Sequence, residues 1–130
     1  MPITTKRDSS GGFTEHIVSG RVTAEEVLTC QTMFYEVGPT KLLLWDLSAA
    51  DLTLLTTENM RQFVKRTATI GKARHGGRTA IVAPESLQYG LGRMAEIFGE
   101  VESIPYELRV FRKRDDAVLW LEESEQSKLL

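Results

Sequence analysis

The spacing of apolar and polar residues changes period repeatedly along this chain, and the changes fall at turn-forming residues. Leu42-Leu43-Leu44-Trp45 is an unbroken apolar run, too short for a membrane span and the right length for a strand buried on both faces. It predicts a central strand over Leu42 to Leu47, leaving the sheet at the polar cluster Asp46-Leu47-Ser48. Upstream, Ile3 to Arg7 and Phe13 to Ser19 read as short strands on either side of Asp8-Ser9-Ser10-Gly11-Gly12, a hairpin that Gly20 closes. Thr23 and Glu26 then form a capping box. The helix behind it carries Val27, Leu28, Phe34 and Tyr35 at helical spacing, with Gln31 interrupting that face and Gly38-Pro39 ending it.

Downstream of the central strand the period returns to that of a helix. Met60, Phe63, Val64, Thr67 and Ile70 supply the inner face of a helix over Thr57 to Arg74, which Gly76-Gly77 terminates. Thr79 to Ala83 is a further apolar strand. Leu87, Leu91, Met94 and Phe98 lie on one face of a third helix that begins at Pro84-Glu85-Ser86; Gly90 and Gly92 inside it imply close backbone contact or a bend. Tyr106 to Arg112 alternates as a half-exposed strand does. Asp115 is placed to cap a last helix containing Ala117, Val118, Trp120 and Leu121, with a frayed tail over Glu122 to Leu130. The resulting order, β-β-α-β-α-β-α-β-α, implies an α/β domain with a mixed, mostly parallel sheet and an N-terminal β-hairpin.

A length of 130 residues makes one domain, 1-130, large enough for a real core. With 42% hydrophobic and 26% charged residues the composition argues against disorder and against a membrane-spanning chain. The single cysteine, Cys30, excludes an intrachain disulfide, and Met1-Pro2-Ile3-Thr4-Thr5 lacks the apolar core of a signal peptide. A cytoplasmic location is therefore expected. Net charge, −2, says little about partners, but its distribution does. No acid occurs between Asn59 and Pro84, where Arg61, Lys65, Arg66, Lys72, Arg74 and Arg78 fall, while acids gather at Glu122, Glu123 and Glu125. The basic stretch reads as a solvated helix face or as a contact with an anionic surface, including an anionic membrane, at roughly 1 kcal/mol per charge.

Candidate chemistry is sparse. Asp46 and Ser48 could hydrogen-bond a ligand at the exit of the central strand, or simply their own loop backbone; no nucleophile elbow surrounds Ser48. His75 suits a helix C-terminus, and His16 is expected to be partly exposed in its hairpin strand. Two histidines are too few to propose a metal site. No GxGxxG follows a strand, so no nucleotide cofactor is expected, and no aromatic platform accompanies the basic residues as single-stranded nucleic acid would need. Leu52, Leu55, Met60 and Phe63, with Leu87, Leu91 and Met94 opposite, either belong to the core or line an apolar pocket between the second and third helices.

Several segments taken together resemble the SpoIIAA-like branch of STAS-fold proteins. They are Leu42-Leu43-Leu44-Trp45-Asp46-Leu47-Ser48, Arg78-Thr79-Ala80-Ile81-Val82-Ala83-Pro84, Tyr89-Gly90-Leu91-Gly92-Arg93-Met94, Arg109-Val110-Phe111-Arg112 and Asp116-Ala117-Val118-Leu119-Trp120-Leu121. The resemblance implies a non-enzymatic regulatory or ligand-binding domain. Similar proteins have been suggested to bind apolar ligands or membrane surfaces. Anti-sigma-factor antagonists of this fold carry a phosphorylatable serine in an Asp-Ser-Ser-Gly motif at the start of the second helix. Here that position falls near Thr56, without the acid or the glycine, and Thr56 or Thr57 also suits a helix N-cap. Asp8-Ser9-Ser10-Gly11 has the motif's residues but lies in the predicted turn. The first expectation is thus a binding domain for an apolar or amphipathic ligand, or an anionic membrane surface met peripherally, through the second and third helices. The alternative is a protein-interaction switch phosphorylated between Ser48 and Thr57, and assembly with further copies stays open.

Overall fold

In the computed structural model, residues 2–8 and 11–129 are described, with side chains as far as residue 123. Ser9 and Ser10, and with them the Asp-Ser-Ser-Gly match, lie outside the described residues, as does the side chain of Glu125. The elements are β1 (Ile3–Arg7), β2 (Phe13–Arg21), α1 (Ala24–Val37), β3 (Leu42–Asp51), α2 (Thr57–Ile70), β4 (Arg78–Val82), α3 (Ser86–Glu102), β5 (Glu107–Phe111) and α4 (Arg114–Leu129), with a 3-10 turn over Gly71–Arg74 after α2. This is the expected order. One five-stranded sheet runs β1-β2-β3-β4-β5, in which β1 is antiparallel to β2 and every later pair is parallel.

Local chemistry explains the helix starts. Glu26 N donates to Thr23 Oγ1 at 3.1 Å while Thr23 N donates to Glu26 Oε1 at 2.9 Å, which occupies two of the amides a helix leaves unpaired. Thr56 and Asn59 repeat the exchange at the head of α2, at 3.0 and 2.9 Å. Thr56 is therefore the N-cap.

Alternation along the strands divides the interior in two. Leu47 of β3 joins Val18 of β2, Ile81 of β4 and Val110 of β5 on the face covered by α1, α2 and α3. Leu42 and Leu44 join Ala80 and Val82 on the other face, against Ala117 and Leu121 of α4. The leucine run is thus an interior strand with apolar neighbours on both sides, as its composition predicted.

Several local expectations are corrected. β3 does not leave the sheet at Asp46: it continues to Asp51, because β2 also runs on and pairs Ser19, Gly20 and Arg21 with Ala49, Ala50 and Asp51 beyond a bulge. Asp46 is a mid-strand residue. Asp115 lies inside the first turn of α4 rather than at its cap, and the helix extends to Leu129 where fraying was expected. The inner face of α2 stops at Thr67; Ile70 is exposed.

The two glycines of α3 behave differently. A Cβ on Gly92 would stand 2.5 Å from Val110 Cγ2, so the helix rests on β5 through a position that only glycine fills. Gly90 has nothing within 4 Å of the same atom. Gly92→Ala is therefore expected to destabilise the fold by about 1–3 kcal/mol through overpacking, whereas Gly90→Ala should stabilise it by about 0.5–1 kcal/mol through helix propensity. Urea denaturation of the two variants reads both signs.

Candidate ligand cavity

Beneath α1 and α2 the interior is not filled. A cavity of about 100 Å³ lies between these helices and the sheet. Leu43, Trp45 and Leu47, successive inward positions of β3, line it from the sheet side, and Val27 and Phe34 of α1 with Met60 and Phe63 of α2 line it from the helices. The pocket is partly open, and close-packed interiors seldom leave a space of this size between helices and sheet. Above it, α1 and α2 meet through polar links. Gln31 Nε2 donates to Phe63 O at 3.2 Å, and Arg66 donates from Nη1 to Leu28 O at 3.1 Å and from Nη2 to Thr32 Oγ1.

Two of the walls are polar for different reasons. At the N-terminal ends of the strands Arg74 is buried, 1% exposed. Its Nε donates to Thr40 O at 2.7 Å, Nη1 to Thr79 Oγ1 at 2.8 Å, and Nη2 to Lys41 O and Arg78 O at 3.0 and 3.1 Å. The guanidinium also faces the rings of Tyr106 and Phe34, 4.4 and 5.5 Å from their centroids. Tyr106 in turn donates to Thr67 Oγ1 at 2.9 Å, and Thr67 donates to Val64 O at 2.7 Å. Burial pushes the Tyr106 hydroxyl up to about 12. This network is closed on itself.

The second polar wall is not. His16 is 1% exposed, and its Nδ1 lies 2.8 Å from Thr5 Oγ1, leaving Nε2 buried without a partner. The ring packs against Trp45 and Phe34, with centroids 4.5 and 5.6 Å away. Burial first, then the Arg7 and Arg74 charges, push His16 down to about 4. Gln31 Oε1 is likewise buried and unpartnered. Among the described residues these are the buried side-chain polar atoms without a hydrogen bond, and both residues line the cavity.

The residues picked out from the sequence divide around this geometry. Leu52, Leu55, Met60 and Phe63 line the cavity; Leu87, Leu91 and Met94 do not. Leu87 is exposed, and Leu91 is packed in the core beside Val110. The pocket is therefore under α1 and α2, not between α2 and α3, which pack closely on each other. Asp46 points to the opposite face, where its carboxylate accepts from Ser48 N at 3.0 Å and from Arg114 at 3.2 Å beside Glu15, and Ser48 is exposed. Of the basic residues, Arg61, Lys65 and Lys72 are exposed, Arg66 is half-buried against α1, and Arg74 is sealed inside, so Arg74 cannot touch an anionic surface. His16 was expected to be partly exposed and is not. Its signal was available in the alternation of Phe13 to Ser19, where Thr14, His16 and Val18 share the inward face.

No family model matches the chain, and no curated protein matches it in sequence. Among solved structures it is similar to an uncharacterised protein of the DUF3478 family from Shewanella loihica PV-4, described as having a SpoIIAA-like fold. The likeness covers 92% of this chain and 91% of that one, with a TM-score of 0.57 and 21% identity. The chain has the SpoIIAA-like fold. At this identity the comparison speaks for the architecture of the SpoIIAA-like domain and not for its ligand. Among the described residues no helix is long and apolar enough to cross a membrane, and no group of three or more His, Cys, Asp or Glu could hold a metal ion.

Two outcomes follow from the polar walls. Unfolded histidine titrates near 6.5 and folded His16 near 4, so the unfolded chain takes up the proton first. The His16 contribution is complete above pH 6.5 and is lost as pH falls towards 4, by about 3 kcal/mol; urea midpoints from pH 7 to 4 should show this, and His16→Leu should flatten it. Arg74→Met strands the carbonyls of Thr40, Lys41 and Arg78 and should cost about 2–4 kcal/mol in the same assay.

Proposed function

We propose that this SpoIIAA-like domain is a non-catalytic binding module that holds one small, largely apolar molecule between α1, α2 and the sheet. The observation that carries the reading is the coincidence, at one place, of a cavity of about 100 Å³ and the buried polar atoms His16 Nε2 and Gln31 Oε1 that lack partners. Interiors close their voids and pair their buried polar groups, and a ligand resolves both exceptions at once. An engineered apolar cavity of about 150 Å³ takes up benzene, so the scale suits one ring or a short branched chain.

The wall chemistry supports a role without catalysis. Among the described residues no Ser, Cys, Asp or Glu lines the cavity, and its threonines, Thr67 and Thr79, already serve Tyr106 and Arg74. His16 is oriented by a hydroxyl where a general base is commonly oriented by a carboxylate. Exposed Arg61, Lys65 and Lys72 add a smaller basic surface than the sequence suggested, which weighs against an anionic membrane as the main target.

Toluene titrated into methyl-labelled protein should give saturable shifts at Leu52, Leu55, Met60 and Val64. At ten times its Kd it should raise stability by about 1.4 kcal/mol. No saturable shift up to the solubility limit, together with a clean apo mass in native mass spectrometry, overturns the reading.

A further inference from the structure

The polar atoms of the cavity specify more than an apolar occupant. Gln31 uses its amide nitrogen on Phe63 O, so the end facing no partner is Oε1, which can only accept. The Thr5 hydroxyl lies 2.8 Å from His16 Nδ1. When it donates there, the neutral imidazole carries its proton on Nε2, and the unpartnered atom is a donor. With that tautomer, one acceptor and one donor stand unmatched in one cavity.

The charged group in the wall is already committed. Arg74 spends four of its five N–H donors on Thr40 O, Lys41 O, Arg78 O and Thr79 Oγ1. Among the described residues no carboxylate lines the cavity to pair with a cation. An anionic head group would meet Gln31 Oε1, an acceptor, beside a guanidinium already bonded through four of its five N–H groups. His16, held near 4, adds no positive charge at neutral pH. Ethers and ketones could accept from His16 but would leave Gln31 unpaired. A hydroxyl accepts one hydrogen bond and donates another through a single oxygen, which an ether or a ketone does not.

We infer that the occupant is an uncharged alcohol or phenol whose single hydroxyl accepts from His16 Nε2 and donates to Gln31 Oε1, with its hydrocarbon part against Trp45, Leu47, Met60 and Phe63. The inference rests on the cavity reading proposed above and names the chemical class that the cavity selects.

Phenol, toluene, anisole and benzoate separate the possibilities when titrated at pH 7 into the full chain, followed by the same methyl resonances. Toluene and anisole leave water more readily than phenol, so a preference for phenol has to come from the hydroxyl. Phenol is expected to bind about tenfold more tightly than either, the scale of one net hydrogen bond, and benzoate not at all. Gln31→Met should bring phenol to within about twofold of toluene by removing the acceptor. The ring nitrogens of wild-type His16 give a readout that needs no variant: nitrogen-15 spectra should show the proton on Nε2 and a shift of that nitrogen as phenol saturates. Equal affinities for phenol and toluene, tightest binding by benzoate, or a proton on Nδ1 in the phenol complex would each overturn the hydroxyl inference while leaving the cavity reading intact. If none of the four compounds binds, the cavity reading falls and this inference with it.

Discussion

Three crossovers, β2-α1-β3, β3-α2-β4 and β4-α3-β5, step in one direction across the sheet, and crossovers of like hand must then place their helices on one face. That constraint governs the rest of the molecule. Three helices share one side of five strands, α4 alone serves the other, and β3 in the middle has to be apolar on both. The helices are not evenly bedded. Gly92 lets α3 settle onto Val110, and α2 follows α3 closely. α1 is held to α2 by the Gln31 and Arg66 hydrogen bonds, and the space below that junction is left open.

Arg74 shows how the fold closes the end of this space without a counter-ion. A buried guanidinium with no carboxylate partner is costly unless its planar array of donors is matched. The 3-10 turn after α2 brings it to where the carbonyls of Thr40, Lys41 and Arg78 converge ahead of β3 and β4, and the aromatic faces of Phe34 and Tyr106 flank it. The charge is stabilised by carbonyl dipoles and ring faces. The cavity consequently meets a cation with four of its five N–H donors committed, while its remaining polarity, at His16 and Gln31, is uncharged. In the binding role proposed above, this division of labour favours neutral molecules and puts recognition on α1 and β2 rather than on the basic helix.

On the far face of the sheet the acids have a similar fate. Glu15 and Asp46 sit on adjacent strands where two carboxylates would repel, and Arg114 from the first turn of α4 bridges both, at 2.6 and 3.2 Å. The bridge ties the last helix to the strands beneath it. It also removes Asp46 from any role at the cavity.

Short-range pattern carried most of the architecture. The four-residue apolar run, the capping pairs at Thr23 and Thr56, and the change of period at each turn cluster determined the element order and the buried central strand, because these features depend on neighbours a few residues apart. The lining leucines before α2, with Met60 and Phe63, were visible for the same reason. What the linear chain did not contain was which helix would oppose them. Helical periodicity says that a face is buried but not against what, so the sequence pointed to the third helix as the opposing wall where the structure supplies α1. Only the packed structure put Gln31 and His16, 15 positions apart in sequence, into one cavity and sealed Arg74 out of a basic run that read as surface, since both outcomes depend on distances between elements that no local pattern encodes.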